Sequence, residues 1–529
     1  MHYFTRAQVS SSLTNYRATL SPGQESLFDE AIGALDENFA PPLLFNSPRY
    51  SAWYAVGLLA RNEGNDVRVA SDLIRNAISF QFKDPSMLWF GTFKNDPNAP
   101  DPGDLFPPKI YDSYDPNNAL FVCTSWIIVM EEFQHMLDPS LIRLMKESMY
   151  NATIGDGYRV GGIDGDNLYT IYSNPWYMRV MSATYVGHMM SDKNMTMWGN
   201  VWAQEAIEEF EKFNTISEFN SGTYAGVTLY ALSLYGYMPG DSVIANAAPM
   251  IIKNKQYFAI LGAQITGLIR AVGKTDAGGC EPIPSPLIGS EHFSDVAATV
   301  LTTILSKFHD PLVPESARSS LTQTPLGTPH FTRAQASSPP FDNPLFPRNY
   351  TSWNEEGLSV GGIEFDMAFV GGASVNPEQF TPAAILWSTG VSGRSVGWIT
   401  HHLSRQHYAT SSSVSALASP HNLTISYRAS RAFPDSFVQS STITLLISGI
   451  PGHPLRPDFG HIRDDAQVTE MPGLKVKFSG TRHLKDANPM LKYGEGSLNG
   501  LIYYNLTYVL VQGNEATGDP ELVLEFQKT

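Results

Sequence analysis

The chain has 529 residues, with 35 basic against 51 acidic side chains, a formal charge of −16, and 43% hydrophobic and 12% aromatic residues. That is too long for one ordinary core, so two domains are expected. The negative charge disfavours nucleic acid and anionic membrane surfaces, whose phosphates it repels at long range, and no apolar run is long enough for a membrane span.

Residues 1–20 are polar and read as an irregular lead without the apolar core of a signal peptide. Ser21-Pro-Gly-Gln24 has the form of a capping box and predicts a helix to about Asn38. Four apolar helices then open on similar polar caps. Asn46-Ser-Pro-Arg-Tyr50 leads into 53–59, Asp115-Pro-Asn-Asn118 into 119–130, Ser173-Asn-Pro-Trp-Tyr177 into 178–190, and Glu218-Phe-Asn-Ser-Gly-Thr-Tyr224 into an apolar stretch ending at Gly236. Proline in a first helical turn loses no hydrogen bond, and asparagine there accepts one from an orphan N–H.

Between these lie amphipathic segments at 67–82, 141–151 and 200–213. Fully apolar helices alternating with half-polar ones describe an (α/α) toroid, its inner helices buried and its outer ones half wet. The inner N-termini then point into one central cleft. Two long loops border it: 86–117, with Trp89-Phe-Gly-Thr-Phe93, and 156–172, with Asp164, Asp166, Asn167, Tyr169 and Tyr172. The spacing of Asp156, Asp164 and Asp166 does not fit an EF-hand loop, so no metal is expected. Helices at 243–252, 256–272 and 293–308 complete the ring.

Residues 310–353 are rich in Pro, Ser and Thr and read as a linker. Within it, Phe331-Thr-Arg-Ala-Gln-Ala-Ser-Ser338 nearly repeats Phe4-Thr-Arg-Ala-Gln-Val-Ser-Ser11. From there the period becomes two, clearest at Leu522, Leu524 and Phe526, and residues 354–529 read as a β-sandwich. The expected class is therefore α+β multidomain: a helical toroid at 21–309, a linker, and an antiparallel β-sandwich.

Tyr50, Tyr177 and Tyr224 occupy equivalent places just after the capping asparagines, where phenols can do acid/base work, stack on a ligand or pack a helix end. Glu218 can act as a general acid or balance the helix dipole. His188 lies near the far end of its helix, and His401, His402 and His407 read as a surface loop. Of the two cysteines, Cys123 lies in an apolar helix and reads as a small buried hydrophobe, with a bridge to Cys280 the alternative. No phosphate-binding glycine loop, nucleophile elbow, Cys-X-X-Cys or dinucleotide fingerprint occurs, so no cofactor is indicated. Five Asn-X-Thr sequons, at Asn151, Asn194, Asn349, Asn422 and Asn505, fit a mature secreted glycoprotein whose leader has been removed.

Gln81-Phe-Lys-Asp-Pro85 with Gly91-Thr-Phe93, Asp115-Pro-Asn-Asn118 and Asn220-Ser-Gly-Thr-Tyr224, set in this layout, resembles the polysaccharide lyases of the heparinase and alginate lyase type. The resemblance implies β-elimination on a uronate-containing glycan, with Tyr224 as proton donor, Asn220 neutralising the carboxylate and Arg179 as a charge clamp. Tyr177, Glu218 and His188 are further catalytic candidates. Tyr50, Trp53, Trp89, Asn118, Tyr172, Asn174 and Trp176 are the ligand-contacting candidates. Ser221 stands where such lyases commonly carry a histidine. Two other readings fit the same residues. One is a cyclase, dehydratase, isomerase or pericyclic catalyst acting on a small apolar substrate against Met130, Met178, Met181, Met189 and Met190. The other is a non-catalytic glycan-binding protein.

Overall fold

The computed structural model describes residues 16–217, 224–253, 296–315, 329–337, 345–366, 383–389, 396–402, 412–429, 442–448, 462–463, 466–480, 482–484, 490–493, 502–510 and 521–529. The helices used below are α1 (Pro22–Asn38), α2 (Pro48–Arg61), α3 (Asp66–Ser79), α4 (Asn117–Ile128), α5 (Pro139–Gly157), α6 (Ser173–Met190), α7 (Lys193–Glu211), α8 (Tyr224–Ser233), α9 (Val243–Lys253) and α10 (Ala297–Ile304). The chain divides into two compact units, residues 1–157 with 295–307 and residues 158–294 with 308–529.

In the first unit the expected alternation of buried and half-wet helices is plain. Every residue of α2 from Ser51 to Ala60 and every residue of α4 is buried, whereas α3 buries Ala70, Leu73, Ile74, Ala77 and Ile78, the stripe of a one-sided helix. Partners follow the same rule: α2 packs on α3 and α4 on α5, while α2 meets α4 and α3 meets α5. Helix α10 closes the inner side against α2 and is backed by α1. The start of α1 is capped as its sequence predicts, the Ser21 N–H donating to Gln24 Oε1 at 2.9 Å. Within the expected irregular lead, Tyr16–Thr19 forms a 3-10 turn whose Tyr16 hydroxyl donates to the Ile304 carbonyl at 2.7 Å.

The second unit repeats the scheme. Helix α6 is buried from Ser173 to Gly187, but α7 buries only Met195, Gly199, Ala203, Ala206 and Phe210; α6 packs on α7 and α8, and α7 on α9. The remainder of the unit is a large antiparallel sheet. Its strand Leu358–Asp366 branches: along one edge it pairs with Arg348–Glu355, and along the other it gives residues 358–362 to the strand Ala383–Ser388 and residues 364–366 to the strand Ser412–Ser419. Two arms therefore leave one strand. Ile385, Trp387, Leu445 and Ile447 from the first arm share a core with Leu423, Ile425, Val476, Phe478, Leu522, Leu524 and Phe526 from the second, so the sheet folds over on itself.

Two local expectations change. The segment read as a linker contains paired strands, His330–Ala336 against Arg348–Glu355, so residues 331–336 of the repeated motif are β-structure. Proline and serine dominated its composition, yet Ala334, Ala336 and Tyr350 still supply an apolar face. The Thr215 hydroxyl donates to the carbonyl of Gln335 in that strand. Likewise His401 and His402 are not in a loop: they lie in the strand Val396–His402, opposite Leu445 and Thr444. His407 and Cys280 fall outside the described residues.

Candidate functional site

The best-defined polar surface in the first unit is the opening of α2. Pro48 starts the helix, and Ser51 ties the turn by accepting from the Leu44 N–H at 2.9 Å and donating to the Ser47 carbonyl at 2.7 Å. Arg49 then lies with its guanidinium carbon 3.6 Å from the centroid of the Phe121 ring, 4.8 Å from Trp53 and 5.0 Å from Tyr50. Trp53 is the buttress of this shelf. It is fully buried and donates its indole N–H to the Phe121 carbonyl at 3.1 Å, behind Arg49 and Tyr50. Arg49 and Tyr50 are half-buried. A guanidinium stacked on ring faces holds its N–H donors in its own plane, edge-on to the rings, and the Arg49 Nε is buried.

A loop is laced over this opening. Asn46 donates to Asp96 Oδ1 at 2.8 Å, Asn118 to Asn95 Oδ1 at 2.9 Å, and the Thr92 hydroxyl to the Asp115 carbonyl at 2.6 Å. Asn118 is thus a loop anchor, its amide spent inside the protein. Behind the loop, Gln81 donates to the carbonyls of Gly91 and Ser148, each at 2.9 Å, and accepts from the Ser148 hydroxyl at 2.6 Å. Two glycines let the loop touch the backbone of α5. A side chain at Gly91, whose φ is +84°, would come within 2.2 Å of the Asn151 carbonyl, and one at Gly155 within 2.0 Å of the Phe90 carbonyl. The loop borders a cavity of about 300 Å³ lined by Phe82, Lys83, Asp84, Met87, Trp89 and Lys94. Trp89 is half-buried there, its ring 5.9 Å from Tyr114, and Lys94 pairs with Asp101 at 2.6 Å.

The opening of α6 in the second unit is filled by its own side chains. Asn174 is fully buried and Tyr177 and Arg179 are each 3% exposed. Trp176 donates its indole N–H to the Trp202 carbonyl at 3.0 Å. The Arg179 guanidinium sits 4.3 Å from the Trp202 ring and donates to the Arg159 carbonyl at 3.0 Å, while Arg159 forks onto Asp166 with two contacts of 2.8 Å. Burial, with Glu209 nearby, holds the Tyr177 phenol well above its ordinary pKa, so it is a proton donor or a packing group and not a ready base. Of the candidates here, Tyr172 at the N-cap is half-buried. His188 is exposed in the last turn of α6, about 20 Å along the axis from Asn174, so the structure does not bring it to the helix opening.

Tyr224 is the first residue of α8; its side chain, and Glu218 and Asn220 altogether, fall outside the described residues. Met130, Met178 and Met181 are core residues. Cys123 is buried with its Sγ 3.7 Å from the Thr153 hydroxyl. Among the described residues no group of three His, Cys, Asp or Glu side chains is placed to hold a metal ion.

Sequence reasoning passed over two groups. Arg49 was read as part of a cap, although a cation directly after the first-turn proline of an apolar helix is itself a signal. His309 was missed because it closes a helix of only four residues, Ser306–His309. It is buried, with its Nδ1 2.9 Å from the Ser233 hydroxyl at the end of α8, and burial lowers its pKa to about 4.

No curated protein matches the chain by sequence. Residues 21–255 match the family described as "Domain of unknown function (DUF8769)", and residues 328–527 the one described as "Domain of unknown function (DUF8770)". Among solved structures, the chain is similar to a crystal structure of heparinase III, at 9% identity over 99% of this chain and 87% of that one, with a TM-score of 0.45. It is also similar to heparan sulfate lyase HepC from Pedobacter heparinus, at 11% identity over 94% and 93% of the two chains, with a TM-score of 0.23. The likeness to these lyases runs over nearly the whole chain at low sequence identity.

Proposed function

We propose that this chain is a lyase that cleaves a uronate-containing glycan by β-elimination, with no cofactor taking part. The observation that carries the reading is the α2 opening, where Arg49 and Tyr50 stand half-buried on an aromatic shelf beneath an anchored loop. β-Elimination needs the uronate carboxylate neutralised, because its negative charge otherwise keeps the C5 proton from leaving. A base takes that proton, the C5–H electrons form the C4–C5 double bond, the C4–O bond breaks, and the departing oxygen receives a proton.

In this reading Arg49 takes over carboxylate neutralisation from Arg179, which is buried and donates to the Arg159 carbonyl. Tyr50, beside Arg49, is the phenol that moves the proton. Trp89 offers an apolar face for a neighbouring sugar ring. The small-apolar-substrate reading keeps less of its methionine wall, because Met130, Met178 and Met181 are core residues, while Met189 is half-buried and Met190 exposed at the far end of α6.

The test is incubation with a panel of polyuronates and sulfated uronate polymers, following the near-ultraviolet absorbance of the unsaturated sugar. The reading expects product from at least one polymer, formed about 10- to 100-fold less efficiently by Arg49→Ala. No product from any polymer overturns it, and saturable binding without turnover would replace it with the glycan-binding alternative.

A further inference from the structure

The surface of α7 carries an apolar patch that the proposed chemistry does not use. Met197 is 50% exposed and Trp198 44%, with Val201 beside them and Met190 exposed at the end of α6. Trp198 and Trp202 lie with ring centroids 5.8 Å apart and planes 30° from parallel. Trp202 is fixed from behind by Arg179 at 4.3 Å and by the Trp176 N–H on its carbonyl. The patch is therefore rigid, and contiguous exposed apolar surface of this kind calls for a cover.

The sequence supplies one within a single helical turn. Asn194-Met-Thr196 is a sequon, Asn194 is exposed, and positions four apart on a helix are neighbours, so Asn194 stands beside Trp198. The other sequons are built differently. Asn349 accepts from Gln335 at 2.7 Å and donates to Glu364 at 3.3 Å within the sheet, the side-chain oxygen of Asn422 is buried, and Asn151 is half-buried on the backbone stretch that receives Gly91. The side chain of Asn505 lies outside the described residues.

We infer that Asn194 is an N-glycosylation site whose first sugars rest on the Trp198 indole and cover the patch. The modification needs a lipid-pyrophosphate-linked oligosaccharide as donor and a transferase acting on the chain during secretion. The Asn194 Nδ2–C1 bond forms, the C1–O bond to the pyrophosphate breaks, the lipid pyrophosphate leaves with the electron pair, and the amide gives up one proton. A sugar ring has one face of C–H groups, which an indole face accepts, and its hydroxyls turn a sticky surface into a wet one.

The full chain, secreted from a glycosylating yeast, tests this by peptide mapping after enzymatic release of glycans in heavy-oxygen water, which marks each occupied asparagine. The inference expects Asn194 occupied, and unmodified in Thr196→Ala and in Asn194→Gln. Release of the glycan from the folded protein should run roughly two- to tenfold faster in Trp198→Ala, the worth of one aromatic contact. The aglycosyl variants should bind more of a hydrophobic dye, with an unchanged circular dichroism spectrum. An unmodified Asn194 in the secreted protein overturns the site, and an unchanged release rate in Trp198→Ala overturns the stacking.

Discussion

The openings of α2 and α6 are spelled almost alike, Ser47-Pro48-Arg49-Tyr50 and Asn174-Pro175-Trp176-Tyr177, and are used in opposite ways. In the first, the residue after proline is a cation. It stays at the rim with its flat face on Phe121, and Tyr50 stays half-buried beside it. In the second, that residue is a tryptophan whose one polar atom reaches the Trp202 carbonyl. It sinks, Tyr177 sinks with it, and the cation arrives from the next turn as an internal brace. One side chain after the proline separates a half-buried polar rim from a packed joint.

The sharpest test of that contrast is Arg179→Ala, which leaves a hole against Trp202 and strips the Arg159 carbonyl of its donor. Unfolding stability should fall by about 3 kcal/mol or more in denaturant titration. If Arg49→Ala costs as much, the contrast is broken.

A buried joint of similar kind at the end of α8 should show itself in acid. His309 is held neutral with a pKa near 4, below its ordinary 6.5. Its contribution is therefore complete above about pH 6.5 and lost as pH falls towards 4, on the order of 3 kcal/mol, and His309→Asn should flatten that dependence in pH-resolved melts.

On the exposed side, Arg49→Ala should lower kcat/KM on the polymer that the wild type cleaves by about 10- to 100-fold, with stability changed by less than about 1 kcal/mol. The smallest effect is alkaline. Because Tyr177 has a raised folded pKa, it stabilises below its ordinary value near 10 and that stability is lost as pH rises above it. Tyr177→Phe should therefore outlast the wild type in melts above about pH 10.

Much of the architecture was legible because its signals are local. Polar caps with proline mark helix starts, and fully apolar against one-sided helices mark inner against outer. Composition misled where it outweighed periodicity, as at His330–Ala336, whose alternating Ala334 and Ala336 were hidden by flanking proline and serine. The site was harder to read. Trp53, Asn118, Asn174 and Trp176 were chosen for chemistry that can face a ligand, yet each of them is buried, and the indoles of Trp53 and Trp176 and the amide of Asn118 are spent on internal carbonyls or amides. Nothing in a residue's identity says whether its polar atom turns inward; that depends on which carbonyl a neighbouring helix brings up.

The glycines at 91 and 155 give the loop over α2 a character that bears on selectivity. Backbone pressed on backbone, with the Gln81 bonds behind it, leaves no slack for a hinge, so this rim acts as a fixed jaw and not as a flap. On the proposed function, a polymer threading past it would meet a die already cut to shape: well-matched chains would be spared the entropic toll of closure, and ill-matched ones would find no way to make the gap yield.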